Sequence, residues 1–318
     1  MLTNQSPASS FFVVQERDLL AELLADKRSP NTRKAYQRDL RDFFKSISGQ
    51  EVSPQLVREF LGLERATAIA LVLQYKAGLI DRKLAEATVN RRLAAIKSLV
   101  AYAQKADKCS WSLEAIAGEK IRSYRDTTGV DAASYRKILE TCDRLTYAGL
   151  RDYAILRLLW DNVLRRGEVA SLNVGSFDRE LRRLSILGKG RGTQAESVSL
   201  SQPTTEAIDA WLISRGRCQP PDPLFIALDR AHRGHRLSAE AIYRLVRDRA
   251  SDAGISKIMS PHRIRHSGIT AALDATNGNV REVKKLSRHA KIDTLLIYDD
   301  NRINHQAALT DLLGGMVG

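Results

Sequence analysis

The sequence predicts a mainly α-helical protein with a small β-sheet, arranged as a helical first domain and a mixed α+β second domain. Three observations carry this. Apolar residues recur at helical spacing through the first third of the chain. The periodicity lapses from about residue 106 to residue 130, where "GEKIRSYRDTTGV" is polar and carries two glycines. Beyond it, "RRLSILGKGRGTQAESVSL" reads as two short strands around a glycine-rich turn, set among further helical segments. A length of 318 residues fits about two domains, each long enough to bury a core.

The elements follow in order. "SPNTRKAYQRDLRDFFKSI" opens with the cap-type residues Ser29 and Asn31 and sets Tyr36, Leu40, Phe43, Phe44 and Ile47 at helical spacing. Arg33, Lys34, Arg38, Arg41 and Lys45 mostly fall off that stripe. "SPQLVREFL" begins a second helix with Pro54 in its first turn. Residues 65–80 give a third. "ATVNRRLAAIKSLVAYAQK" gives a fourth, with Val89, Leu93, Ile96, Val100 and Ala103 inward and Arg91, Arg92 and Lys97 mostly outward. A new helix starts near Asp131 to Ser134. "GLRDYAILRLLWDNV" is a strongly apolar helix, and "RRGEVASL" starts the next. After the hairpin, "SAEAIYRLVRDRASDAGI" is amphipathic and carries Arg244. "SPHRIRHSGITAALDA" opens a helix after Pro261, "NVREVKKLSRHA" is helical and leads into "KIDTLLIYDD", and "NHQAALTDLLGG" is a last short helix ended by glycines. The expected boundaries are an N-terminal extension over 1–28, a helical domain over 29–110, a linker over 111–130 and the second domain over 131–318.

Lys and Arg number 50 against 37 Asp and Glu, for a net charge of +13. The excess is spread over both domains rather than gathered in a tail. This favours a polyanionic partner, nucleic acid before an anionic membrane surface. The basic faces at Arg33, Lys34, Arg38, Arg41, Arg91, Arg92, Lys97 and Arg244 are the candidates for phosphate contact. Cys109, Cys142 and Cys218 are widely spaced, which fits a reducing cytosol rather than a disulfide framework. No apolar run is long enough for a membrane span, and the first residues do not read as a secretory signal, so a cytoplasmic, nucleoid-associated protein is expected.

Four clusters bear chemistry. "SPHRIRHSGIT" gathers His262, Arg263, Arg265 and His266, with His262 and Arg265 on one helical face. Histidines four apart suit a zinc ion, but the zinc-protease pattern needs Glu where Arg263 stands, and a cation beside a dication is unfavourable. An oxyanion or phosphate clamp suits the set better, since guanidinium offers a planar fork and imidazole moves a proton near neutral pH. In "DNVLRRGEVASL", Glu168 lies three residues after Arg165 and is placed to orient it. "GKGRG" puts Lys189 at a hairpin tip, outside any phosphate-cradling G-x-x-x-x-G-K-[ST] loop. Tyr298 follows His289 by nine residues; a phenol is a possible covalent nucleophile. Each feature alone has a plainer explanation: surface salt bridges, an ordinary charged turn, a core tyrosine.

Taken in order, "LRRGEV", the hairpin "GKG", "HRIRH", "LSRH" and the following tyrosine resemble the tyrosine recombinase family, the phage integrases and Xer-type recombinases. The resemblance covers the second domain almost end to end, as that family's catalytic domain. The first domain resembles its helical, SAM-like core-binding domain. The resemblance implies six catalytic residues: Arg165, Lys189, His262, Arg265, His289 and the nucleophile Tyr298, with Glu168 behind Arg165. Tyr298 would form a 3′-phosphotyrosyl bond, Lys189 would protonate the leaving 5′-oxygen, and His262 would accept the phenolic proton. It implies no cofactor, neither metal nor ATP. Its partner would be double-stranded DNA, worked on by a homo-tetramer through a Holliday junction, with an accessory protein or partner recombinase as a further option. The last helix would dock on a neighbouring subunit. The family usually has Gly before the second histidine, where this chain has Arg288, and "ESVSL" lacks a basic residue often found there. Two other functions share some of these features: a nicking-closing enzyme like type IB topoisomerases, and a non-catalytic DNA-binding protein.

Overall fold

The computed structural model describes residues 18–120, 129–187, 195–300 and 305–317. The chain divides into two units, Met1–Arg122 and Ser123–Gly318. Among the described residues no helix is long and apolar enough to cross a membrane.

The first unit is built of α1 (Leu19–Asp26), α2 (Pro30–Ser48), α3 (Pro54–Leu61), α4 (Arg65–Asp81) and α5 (Glu86–Lys105). Side-chain caps start three of them. Asp18 accepts the Leu20 and Ala21 amides, Ser29 that of Thr32, and Ser53 that of Leu56; prolines occupy the first positions of α2 and α3. Phe43, Phe44, Phe60, Tyr75 and Trp111 meet edge to face with centroids 5.1–5.8 Å apart.

Three expectations need correction in this unit. The assumed extension over 1–28 contains α1, because "LLAELLAD" carries an apolar stripe that buries Leu19 and Leu23 in the core. The assumed linker begins too early: Trp111, Leu113 and Ile116 belong to the same core, and the Trp111 indole N–H reaches the Leu63 carbonyl at 2.8 Å. The outward basic face of α5 is partly turned inward. Arg91 pairs with buried Asp39, Arg92 with Asp42, and Lys97 donates to the Ile116 carbonyl. The physical reason is the carboxylates of α2, which cannot be sequestered without a cation. Arg33, Lys34, Arg38 and Arg41 are exposed.

The second unit is built around α7 (Tyr147–Asp161), whose Ile155, Leu156, Leu158 and Leu159 are wholly buried. Before it stands α6 (Ala132–Glu140), capped by Asp131. After it come α8 (Arg166–Ser171) and a three-stranded antiparallel sheet in the order β1 (Phe177–Asp178), β2 (Arg183–Leu187), β3 (Ala195–Ser199). The β2–β3 register pairs Arg183 with Ser199 and Leu187 with Ala195. Along β2 only Leu184 and Ile186 face the core, the alternation of a one-sided sheet. The tip of this hairpin, with Lys189, lies outside the described residues. A helix not anticipated, α9 (Gln202–Arg215), packs on α7 and buries Trp211. Its start was written in Ser201 followed by Pro203.

Next come α10 (Ala239–Asp252), with Arg244 exposed, and α11 (Pro261–Ala275). Then α12 (Val280–Ser287) and α13 (Asp293–Asp300) pack against α11 and each other. The last helix, α14 (His305–Val317), runs through Gly314 and Gly315 instead of ending there. Neither adopts the positive φ that terminates a helix, as Gly49 does after α2.

Gly268 lets α11 lie directly on the end of α7. A Cβ there would stand 2.8 Å from Val163 Cγ1 and 2.9 Å from the Trp160 carbonyl oxygen. The carbonyl is backbone and cannot step aside. Gly268→Ala is expected to cost about 1–3 kcal/mol of stability, seen as a lowered thermal midpoint.

Candidate active site

The site begins where α7 turns into α8. Arg165 is the N-cap of α8, and Glu168 accepts from it twice: from the backbone N–H at 2.8 Å and from the guanidinium Nη1 at 2.7 Å. The Glu168 side chain is 3% exposed while that of Arg165 is 32% exposed, so the carboxylate is an internal anchor and the guanidinium keeps an open edge. Burial would raise the Glu168 pKa. The Arg165 amide and the charges of Arg288 and Arg165 outweigh burial and hold it below the ordinary carboxylate value.

From α11 come three more groups. Ser260 caps the helix through the Arg263 amide, and Pro261 occupies its first turn. Arg265, 2% exposed, donates to the carbonyl oxygens of Val163 and Ser287, and its Nη2 lies 3.4 Å from His289 Nε2. Val163 has φ 42°, a left-handed conformation that a β-branched residue rarely adopts, next to the site it serves. Burial first, then Arg165 and Arg288, push the Arg265 pKa down to about 9, which still leaves it charged at neutral pH. His262 is exposed; its Nε2 lies 2.8 Å from Nε2 of buried His266, within hydrogen-bond distance. The His266 ring stands edge-on to Tyr298, centroids 4.9 Å apart.

The last segment supplies His289 and Tyr298. Helix α12 ends in Arg288, which has φ 56° and ψ 36°. A left-handed turn costs a non-glycine residue about 1–2 kcal/mol, which gives a backbone reason for glycine there. The Arg288 guanidinium lies 2.9 Å from Glu168 Oε2. Tyr298, on α13, is 3% exposed among Val163, Ile269, Leu273, Val283 and Leu295, and its ring centroid is 6.0 Å from that of His289.

Burial, then the charges of Arg265, Arg165, Arg288 and His262, push His289 from its ordinary 6.5 down to about 4. The imidazole is therefore neutral at pH 7. As pH falls from 6.5 towards about 4, the unfolded chain binds a proton here that the folded chain refuses, so stability is lost across that window and is fully present above it. Thermal midpoints against pH should fall less steeply for His289→Gln than for the parent chain between these values.

Arg165, Glu168, His262, Arg265, His289 and Tyr298 thus converge from α8, α11, the turn after α12 and α13. Lys189 lies outside the described residues. Sequence reasoning left Arg288 and His266 without a place in the site. The i, i+4 spacing from His262 was the signal for His266; Arg288 carried a signal only in its departure from the usual glycine. Among the described residues no group of three or more His, Cys, Asp or Glu could hold a metal ion.

Comparison with known proteins gives the family and the fold. The phage integrase family model matches residues 129–305, and the model of the phage integrase N-terminal SAM-like domain matches residues 17–107. A tyrosine recombinase of Synechocystis sp. is 52% identical over 302 residues, spanning 95% of this chain and 96% of the relative. A tyrosine recombinase of Synechococcus elongatus is 49% identical over 305 residues, spanning 96% and 95%. Among solved structures, the XerH site-specific recombinase bound to its difH substrate aligns with a TM-score of 0.60 and 20% identity, over 86% of this chain and 78% of that one. A lambda integrase dimer bound to a core site aligns at 0.62 and 13%, over 89% and 77%. The fold is the same in both. With a family model over more than half of its length and close relatives along nearly all of it, the chain belongs to the phage integrase family of tyrosine recombinases, enzymes of site-specific DNA recombination.

Proposed function

We propose that the chain cuts and rejoins double-stranded DNA through a 3′-phosphotyrosyl intermediate, acting as a homo-tetramer that passes through a Holliday junction. The Tyr298 oxygen attacks the scissile phosphorus and the bond to the 5′-oxygen breaks. The phenolic proton goes to His262, with His266 sharing its Nε2 contact, and the leaving 5′-oxygen takes a proton from Lys189. Arg165, Arg265 and the neutral His289 hydrogen-bond the non-bridging oxygens as charge grows on them. In the second half a 5′-hydroxyl from the partner duplex attacks the phosphotyrosyl bond and the same protons return. The phosphodiester energy is kept in the covalent link, so the cycle balances without ATP, and the compensating charge comes from the chain's own guanidinium groups rather than from a metal.

The observation that supports this reading is the convergence of a phenol, two guanidinium groups and two imidazoles from separate segments into one site. DNA-bound complexes among the structural neighbours support a duplex as the partner. The exposed Leu312, Leu313, Met316 and Val317 of α14 support docking of that helix on a neighbouring subunit. The exposed Arg33, Lys34, Arg38 and Arg41 of the first unit, and Arg244 of the second, are candidates for backbone phosphates. Acting on such duplexes, the protein would work in the cytoplasm, on the nucleoid. The test is covalent capture: a pool of nicked duplexes with randomised inverted arms is offered to the protein, and adducts that survive denaturation are recovered and sequenced. Enrichment of a defined inverted repeat supports a site-specific recombinase; relaxation of any supercoiled plasmid with no enriched sequence would instead indicate a nicking-closing enzyme.

A further inference from the structure

Arg288 stands where the resemblance leads one to expect glycine, and it keeps the left-handed turn that glycine would make at less cost. Its side chain shows what it does there. The side chain is 5% exposed, with Nη2 at 2.9 Å from Glu168 Oε2 and Nη1 at 3.2 Å from the Asn162 carbonyl and 3.0 Å from the Leu286 carbonyl. It therefore ties together the end of α7, the start of α8 and the end of α12, the three segments that carry Val163, Arg165 and His289.

With both terminal nitrogens engaged inside the chain, Arg288 bears on the site by way of its neighbours. Its effect runs through Glu168. That carboxylate also holds Arg165, at 2.7 Å. One carboxylate between two guanidinium groups leaves a net positive charge, and the more exposed cation, Arg165, presents it. Without Arg288, Glu168 and Arg165 would neutralise each other, and the buried carboxylate would draw Arg165 inward as its sole partner.

We infer that Arg288 is a positioning residue for recombination: it neutralises Glu168, so that Arg165 faces the scissile phosphate as an unspent cation held in register with His289. The inference rests on the role proposed above for Arg165. It marks a way of building this site in which a side chain placed at a glycine position reinforces the arginine rather than the turn.

The test uses the full chain and a nicked duplex enriched by the parent protein. Arg288→Gly keeps the turn and removes the guanidinium. Single-turnover adduct formation at saturating protein should slow by about 100-fold, with duplex affinity unchanged. Arg288→Lys, which keeps the charge without the fork, should recover part of the rate. In a Glu168→Gln background, where no carboxylate remains to be neutralised, Arg288→Gly should cost little more. An undiminished rate in Arg288→Gly, an equal loss in both backgrounds, or a loss confined to affinity would each overturn the inference. Absence of any adduct from the parent chain would sink the proposed reaction instead. Inorganic sulfate titrated against the Arg165 guanidinium resonance of the DNA-free chain then decides for Arg288: weaker binding by Arg288→Gly upholds the inference, and equal binding overturns it.

Discussion

Tyr298→Phe is expected to leave the fold intact and to reduce covalent capture of DNA to background. The ring of Tyr298 packs among Val163, Ile269, Leu273, Val283 and Leu295 and stands edge-on to His266, and phenylalanine keeps all of that apolar contact. What it loses is one oxygen, and with it the only atom of that residue able to bond to phosphorus. The stability cost is that of one hydroxyl group, about 1 kcal/mol. Binding to an enriched duplex should persist, because backbone-phosphate contacts dominate affinity and do not involve the phenol. The measurement is a denaturing gel of the nicked substrate beside a binding titration of the same preparation. Surviving adduct in the phenylalanine protein would mean that another residue attacks, and the assignment of Tyr298 would be wrong.

Arg265→Ala should damage both chemistry and folding. In the chemical step one preorganised donor to a non-bridging oxygen is removed, worth about 2.7–4 kcal/mol, a fall of about 100- to 1,000-fold in single-turnover rate. In folding, the carbonyl oxygens of Val163 and Ser287 lose the guanidinium that satisfies them in a buried place. Each such orphan costs about 1–3 kcal/mol. The two losses separate experimentally: the rate is read well below the thermal midpoint of the variant, the stability from its denaturant midpoint. Arg265→Lys should recover little of either, since a single ammonium cannot span two carbonyl groups that a planar fork reaches together. A lysine protein with parental rate would show that charge alone suffices at this position.

Much of the site was legible because its chemistry needs particular residue types in a fixed order along the chain. Arg165 with Glu168 three residues on, His262 with Arg265, and His289 with Tyr298 nine residues later could all be read before any fold was known. Spatial assembly adds what order cannot. That Val163 turns its carbonyl to Arg265 through a left-handed backbone, or that His266 bridges His262 and Tyr298, depends on helices far apart in sequence. Arg91 and Arg92 show the same boundary from the other side. Their helical phase suggested an outward face, but Asp39 and Asp42 on α2 hold them, and pairing between helices leaves no periodic trace. Helix α1 and the core residues Trp111, Leu113 and Ile116 were missed because short apolar stretches flanking a polar one resemble tails and linkers. The reading of α14 failed for a local reason: Gly314 and Gly315 lack the left-handed backbone that makes glycine a stop after α2.

The low exposure of Tyr298 has a consequence for the resting protein. The phenol ring sits 3% exposed among Val163, Ile269, Leu273 and Val283, so in the reaction proposed above an incoming phosphate meets its oxygen only after α13 shifts. On that reading, random duplex touched in passing would be spared from breakage, and the shift would be the moment at which a correct sequence or an assembled neighbour grants permission to cut.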